Sequence, residues 1–181
     1  IREVFAKSYL KWAQGDKGKI PWEDIQAPER FRAYSELDAR LRQVGVASLG
    51  KMAYLKLNGG LGTSMGCEGP KSAIKVYEDK TFLDLIALQV NANKHIPVFF
   101  MNSFNTDKET EAILKKDQLE HQSFLQNKYP KIDVETKLPL EVKNKVLEWA
   151  PPGHGDVFFS LFGQGIVDKL LDQGVEYVFL S

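Results

Sequence analysis

Short apolar runs separated by amphipathic stretches make up most of the chain after residue 50. Three of these runs, at 52–57, 96–101 and 175–180, have the length and composition of buried strands. Segments whose apolar residues keep helical spacing lie between them. Strands that alternate with helices form a mostly parallel sheet with right-handed crossovers. The pattern therefore predicts an α/β fold with helices packed on the sheet.

Two capping-box pairs mark the starts of helices in this pattern. Thr81 precedes Asp84 by three residues, and Thr106 precedes Glu109 by three. In such a pair each side chain bonds the backbone N–H of the other residue, which stabilises the first helical turn. Apolar residues with helical spacing follow both pairs, so the sequence predicts a helix after each.

A third helix is predicted from Asp156 to Leu171. Asp156 is a residue type that caps a helix start, and Gly174 is typical of a helix end. Gly163 and Gly165 weaken the middle of this segment, because glycine is a poor helix former.

The first 50 residues form a polar leader in this interpretation. Helical patterns at 4–14 and 31–44 are separated by glycines and prolines, which break helices. No regular element is predicted for 118–149, where prolines interrupt the pattern. The chain thus divides into a helical leader, 1–50, and an α/β part, 51–181.

Composition limits which partners and which cellular compartment are expected for the protein. Its 181 residues are 43% hydrophobic, which suffices for one sizeable core. The 24 basic residues balance the 24 acidic ones, so we expect neither nucleic acid nor a membrane as partner. A single cysteine, Cys67, forms no internal disulfide, which predicts a cytoplasmic protein. The start without Met indicates that residues are missing ahead of it.

A glycine-rich loop follows the first predicted strand. Residues 56–72 hold five of the 14 glycines of the chain, and they begin at the end of that strand. Glycine lets the backbone approach a ligand closely, and successive N–H groups can form a nest for phosphate oxygens. Lys71 adds a movable positive charge. The alternative is a tight structural turn, which five glycines together with Lys71 make a poorer explanation.

Two familiar phosphate loops do not fit this segment. A Walker loop needs a glycine directly before Lys-Ser or Lys-Thr and another glycine five residues before that one. Here Pro70 intervenes between Gly69 and Lys71, and Ser64 lies five residues before Gly69. The dinucleotide fingerprint requires a third glycine at the position of Met65. The segment is therefore a different kind of phosphate loop.

The loop closely resembles the signature of the UTP–glucose-1-phosphate uridylyltransferase family. Residues 57–63 read Leu-Asn-Gly-Gly-Leu-Gly-Thr, and 69–72 read Gly-Pro-Lys-Ser. The blocks at 81–85, 101–106 and 151–156 are similar to the next three blocks of the family, in the same order. One departure is Glu68, where many relatives are expected to carry lysine, so a second positive contact near the phosphates is not supported there.

This resemblance implies a Rossmann-like nucleotidyltransferase fold that is incomplete at its C-terminal side. It implies that UTP and glucose 1-phosphate react to UDP-glucose and pyrophosphate with Mg²⁺. The magnesium-binding aspartate of the family lies in a block that follows Ser181, so we expect it beyond this chain. Residues 51–181 are then the first part of a catalytic domain, which a homo-oligomer or a complementary chain is expected to complete.

The same resemblance assigns roles to individual residues. Lys71 is the catalytic residue because its charge neutralises the triphosphate, and Gln126 reads uracil because an amide both donates and accepts hydrogen bonds. His154 contacts the substrate. The nucleotide-binding set is Leu57, Asn58, Gly59, Gly60, Lys71, Gln126 and Gly153, and the sugar-phosphate set is Gly59, Gly60 and His154.

Structural explanations compete with several of these roles. Taken alone, Gln126 is a surface amide and His154 a turn residue. Asp156 is expected to cap its helix rather than to bind a metal, and Cys67 is expected either to serve packing or to have no particular role. Two other functions stay open at this stage. They are a uridylyltransferase for another sugar phosphate and a catalytically silent nucleotide-binding fragment.

Overall fold

A computed structural model describes residues 2–30, 32–62, 65–66, 69–92 and 95–181 of the chain. The predictions for Cys67 and Glu68 fall outside these residues. The α-helices are α1 Arg2–Ala13, α2 Ala39–Ser48, α3 Phe82–Asn91, α4 Asp107–Lys116, α5 Val157–Gly163 and α6 Ile166–Asp172. The strands are β1 Met52–Asn58, β2 Lys75–Tyr77, β3 Lys80–Thr81, β4 Val98–Asn102, β5 Gln122–Leu125, β6 Tyr129–Pro130, β7 Trp149–Ala150 and β8 Tyr177–Leu180.

Four strands form one parallel sheet in the order β5-β4-β1-β8. Leu57 of β1 lies beside Met101 of β4, which lies beside Phe124 of β5. The α/β class and the parallel sheet are therefore confirmed. Strand β5 lies in segment 118–149, for which no element was predicted. Only Phe124 of its four residues is buried, so the strand has no recognisable apolar pattern.

The sheet has an apolar core on each face because side chains alternate along a strand. Leu55, Phe99 and Met101 face α5 and α6, whereas Val98 and Phe100 face α3 and α4. Burial of an aromatic or large aliphatic side chain stabilises a fold by roughly 1.5–3 kcal/mol. These two cores hold the carboxyl ends of β1, β4 and β5 together at one edge of the sheet.

Strand β8 lies at the edge of the sheet and is more exposed than the sequence suggested. Its residues were predicted to be buried, but all of Tyr177–Leu180 are exposed, with Tyr177 at 54%. Val175, just before the strand, is buried. The apolar run 175–180 thus contains a strand, as predicted. Among the described residues, β8 pairs with β1 on one side and with no strand on the other.

One capping box is confirmed and the other is wrong. Thr81 N–H donates to Asp84 Oδ2 at 2.5 Å, and Asp84 N–H donates to Thr81 Oγ1 at 3.1 Å. Thr106 makes no such cap with Glu109. Its hydroxyl instead donates to the Asn58 carbonyl at 2.8 Å, because the fold brings the end of β1 against this turn.

The prediction of a single long helix from Asp156 to Leu171 is also wrong. The segment forms two helices, α5 and α6, which are separated at Gly165, where the backbone is left-handed with φ of 67°. Asp156 does not cap α5, because its carboxylate accepts hydrogen bonds from Asn127 N–H at 2.6 Å and from Ser160 Oγ at 2.7 Å. Gly174 follows the end of α6 with φ of 72°, as predicted.

The described part of the leader contains two α-helices, and neither has a buried residue. The helix α1 matches its prediction, but α2 starts at Ala39 rather than near residue 31. Asp38 caps it by accepting a hydrogen bond from Leu41 N–H at 2.9 Å, so the chain becomes helical only where this cap is available. The division of the chain at residue 50 stays a prediction. None of the helices described here combines the length and the apolar character needed to cross a membrane.

Candidate functional site

The glycine loop leaves β1 at Asn58 and folds back on itself. Gly62 N–H donates to the Gly69 carbonyl at 2.9 Å, and Lys71 N–H donates to the Gly60 carbonyl at 3.1 Å. An isolated bridge between Leu61 and Pro70 joins the same two arms. The far end of the loop therefore returns to its start and places Lys71 beside Gly60.

A cleft of about 370 Å³ opens beside this loop. Lys71 and His154 are exposed in it, and Lys56 is partly buried. Its described lining contains no carboxylate side chain, so the charge around the cleft is positive. The lining residues are Lys56, Leu57, Asn58, Gly60, Met65, Lys71, Ser72, Ile74, Phe82, Ile86 and His154. This combination of cations and apolar walls suits a ligand that is partly anionic and partly organic.

Asn58 ties the loop to the sheet through its side chain. Its Nδ2 donates to Asn102 Oδ1 at 2.9 Å and to Thr110 Oγ1 at 2.7 Å. Its Oδ1 accepts a hydrogen bond from the Ser72 hydroxyl. All these side chains are buried, and Ser72 is the neighbour of Lys71. The buried amide thus fixes the backbone from which Lys71 projects.

Gln126 lies directly against Gly59 at the end of β5. A Cβ atom on Gly59 would lie 2.9 Å from Gln126 Cδ, closer than real Cβ atoms come to a neighbour. Gln126 is 5% exposed, and its N–H donates to the Asn102 carbonyl at 2.8 Å. Its Oε1 has no hydrogen-bond partner among the described residues. A buried acceptor without a partner is uncommon, which makes this amide a candidate ligand contact.

The predicted site residues fall into two adjoining groups. Leu57, Asn58, Gly60, Lys71 and His154 line the cleft, whereas Gly59 and Gln126 contact each other outside its lining. Gly153 precedes His154 with φ of 106°, which favours glycine, but it does not line the cleft.

The structure adds Lys56 to the residues named from the sequence. Its Nζ donates to Ser181 Oγ at 3.2 Å, and burial lowers the pKa of the ammonium. A lysine inside an otherwise apolar strand, two residues before the glycine loop, was the signal that could have identified it.

A metal site is not formed by the residues described here. Among them, no three His, Cys, Asp or Glu side chains are close enough together to hold an ion. Asp156, the acidic residue nearest in sequence to His154, is engaged by Asn127 and Ser160. The described lining of the cleft offers lysine ammonium groups, which can bind anions and offset their charge.

The chain matches a known protein family. The sequence profile described as UTP–glucose-1-phosphate uridylyltransferase matches residues 2–181. The chain belongs to this family. The match covers almost the whole chain, from the leader to the end of the sheet.

Similar proteins come from plants, amoebae and protozoa. A UTP–glucose-1-phosphate uridylyltransferase of Hordeum vulgare is 44% identical over 98% of this chain and 40% of its own length. UTP–glucose-1-phosphate uridylyltransferase 2 of Dictyostelium discoideum is 40% identical over 97% of this chain and 37% of its own length. A similar solved structure is that of a mutant UDP-glucose pyrophosphorylase from Leishmania major in complex with UDP-glucose. It is 35% identical to this chain and superimposes with a TM-score of 0.84. The match covers 99% of this chain and 39% of the Leishmania major chain. The chain thus spans about two fifths of the length of these uridylyltransferases.

Proposed function

We propose that this chain is the nucleotide-binding part of a UTP–glucose-1-phosphate uridylyltransferase. The reaction joins UTP and glucose 1-phosphate to give UDP-glucose and pyrophosphate. The supporting observation is the hydrogen bond from Lys71 N–H to the Gly60 carbonyl, which holds a lysine beside a glycine loop at the carboxyl edge of a parallel sheet. Ligands of open α/β sheets bind at this edge.

The reaction requires positioning and charge neutralisation more than covalent catalysis. A phosphate oxygen of glucose 1-phosphate attacks the α-phosphorus of UTP, and a new P–O bond forms. The bond from that phosphorus to the bridging oxygen of the β-phosphate breaks, and pyrophosphate leaves with the electron pair. Several negative oxygens meet in this step, so a lysine ammonium lowers the barrier by offsetting their charge.

Each residue has a task in this proposal. Lys71 neutralises the triphosphate, and Gly59 and Gly60 let the backbone approach the phosphates. Gln126 reads uracil with its amide, which offers an acceptor and a donor to the edge of the base. Gly153 approaches the base, and His154 contacts the sugar phosphate. The backbone of Leu57 and Asn58 completes the nucleotide contacts.

Mg²⁺ is the proposed metal, with its aspartate ligand outside this chain. A bound Mg²⁺ supplies further neutralisation of the phosphate oxygens. The cytoplasmic location and the completion of the fold by a homo-oligomer or a complementary chain stay predictions.

Pyrophosphate release tests the proposed reaction. The assay uses UTP, glucose 1-phosphate and Mg²⁺ with the chain alone and with an extended protein. The extended protein is the full-length polypeptide that contains this chain. Activity of the extended protein supports the proposal. UTP binding without turnover, also with other sugar 1-phosphates, supports a silent nucleotide-binding module instead.

Replacing glucose 1-phosphate by galactose 1-phosphate or N-acetylglucosamine 1-phosphate tests the second candidate. Faster turnover with either sugar would identify a uridylyltransferase for another sugar phosphate.

A further inference from the structure

Lys56 directs its side chain into the cleft from the strand that carries the glycine loop. Side chains alternate along β1, so Tyr54 and Lys56 face the side of the sheet on which α3 packs. Phe82 and Ile86 of α3 line the same cleft. Lys56 is partly buried beside these apolar side chains, whereas Lys71 is exposed.

Among the described residues, Lys56 has no carboxylate partner. Its hydrogen-bond acceptor is the neutral hydroxyl of Ser181, and the described lining of the cleft has no carboxylate. Burial is the cause that lowers the pKa of this ammonium. A cation removed from water is costly unless an anion accompanies it, so a negatively charged ligand would stabilise it.

Strand pairing holds this lysine in a defined place. Ser181 N–H donates to the Leu55 carbonyl at 3.0 Å, and Leu57 N–H donates to the Ser181 carbonyl at 2.8 Å. These bonds flank Lys56 on both sides and keep the Ser181 hydroxyl near its Nζ. The backbone of Lys56 is thus held in place before a ligand arrives, and only the side chain has to be ordered on binding.

We propose that Lys56 is a second phosphate-binding cation of the cleft and acts together with Lys71 on the anionic part of the nucleotide. The inference rests on the proposed function, because it names a further residue of the same site. Lys56 contributes from the partly buried side of the cleft, where charge interactions are less screened than at the exposed Lys71. The ligand class is a nucleoside triphosphate, and the contact is made to its phosphates and not to its base.

The test compares a ligand with phosphates and one without them. In the extended protein, UTP affinity is measured by calorimetry and uridine affinity by NMR titration. Lys56→Met is expected to weaken UTP binding about tenfold or more, because a hydrogen bond to a charged group is lost. Uridine affinity is expected to stay unchanged. Lys56→Arg keeps the charge and is expected to retain most of the UTP affinity.

Lys169→Met is the matched control. Lys169 is exposed on α6, which packs on the opposite face of the sheet, and its replacement removes the same charge. Lys56→Gln, which still donates to a hydroxyl, replaces Lys56→Met if the latter does not fold.

Equal losses of UTP and uridine affinity in the neutral variant that folds would show a structural role and overturn the proposal, as would unchanged UTP binding. Failure of the unmodified extended protein to bind UTP would reject the proposed function itself. The two failures are therefore distinguishable.

Discussion

Gly59 and Gln126 occupy adjoining space that only a glycine leaves free. A Cβ atom at position 59 would lie 2.9 Å from Gln126 Cδ and closer still to its Nε2. Gln126 is buried and cannot turn away without disturbing the end of β5. The glycine thus sets the distance between the loop and the amide that we propose to read uracil.

Gly59→Ala should therefore disturb both the fold and nucleotide binding. An added methyl group in a filled space destabilises a protein by about 1–3 kcal/mol, which urea unfolding can measure. The double variant with Gln126→Ala removes the obstructing amide and should regain most of that stability. Gly45→Ala is the control, because nothing lies near that position in α2 and alanine favours the helix. A Gly59→Ala variant as stable as this control would contradict the steric argument.

Local patterns predicted the elements whose own residues determine them. Strand β1 and helix α3 follow from an apolar run and from a capping box that closes within four residues. The hydroxyl of Thr106 is the counterexample, because it bonds Asn58, which is 48 residues away in sequence. Its partner exists only once β1 and β4 are paired, and a local motif contains no information about that pairing.

The residues of the candidate site also divide into those predicted from local sequence and those whose roles depend on distant neighbours. The glycine loop and Lys71 were found from their spacing along the chain. Lys56 and the partners of Asn58 were missed, because their roles arise from neighbours on other elements. Strand β5 was missed for a similar reason, since it has one buried residue and its place is set by pairing with β4.

Gln126→Glu should weaken the preference of the extended protein for UTP over CTP. A carboxylate accepts hydrogen bonds but cannot donate one, so it offers uracil only half of the contacts of the amide. Competition between the two nucleotides in the pyrophosphate-release assay measures the preference. Gln43→Glu is a suitable control, because Gln43 is exposed on α2. An unaltered preference in the Gln126 variant would remove this residue from the uracil site.

Lys71→Ala should reduce turnover much more than stability. Removing one donor that stabilises developing charge commonly lowers kcat by about 100-fold to 1,000-fold. Lys71 is exposed, so the free energy of unfolding should change by no more than about 0.5 kcal/mol. Steady-state kinetics and urea unfolding of the extended protein measure the two effects. Lys75→Ala, which removes an exposed lysine paired with Asp79, serves as the control. Turnover equal to that of the control would exclude the proposed role of Lys71.

The hydrogen bond between Ser72 and Asn58 should stabilise the fold beneath the loop. Ser72→Ala leaves the buried Asn58 Oδ1 without its donor, which costs about 1–3 kcal/mol. Urea unfolding checks this value against Ser8→Ala, an exposed position on α1 that should change stability little. Equal stability of the two variants would mean that Asn58 finds another partner.

Asp84 should make the fold sensitive to acid. Bonds from Thr81, and to a smaller extent the nearby Lys116, hold the pKa of Asp84 at about 2, below the ordinary value of 3.8. An acid with a lowered pKa stabilises the folded state above its ordinary pKa, and this contribution is lost as pH falls toward about 2. Asp117 opposes it in part, because burial and the adjacent Asp84 raise the pKa of that carboxyl.

Asp84→Asn should accordingly destabilise the protein near neutral pH and lose this effect in acid. The loss of a capping interaction costs about 1 kcal/mol, and the difference from the unmodified protein should shrink between pH about 4 and about 2. Urea unfolding across this range measures it. Asp172→Asn, at an exposed position on α6, should show no comparable trend. A constant difference at every pH would mean that Asp84 stabilises α3 through packing or neutral hydrogen bonds rather than through its charge.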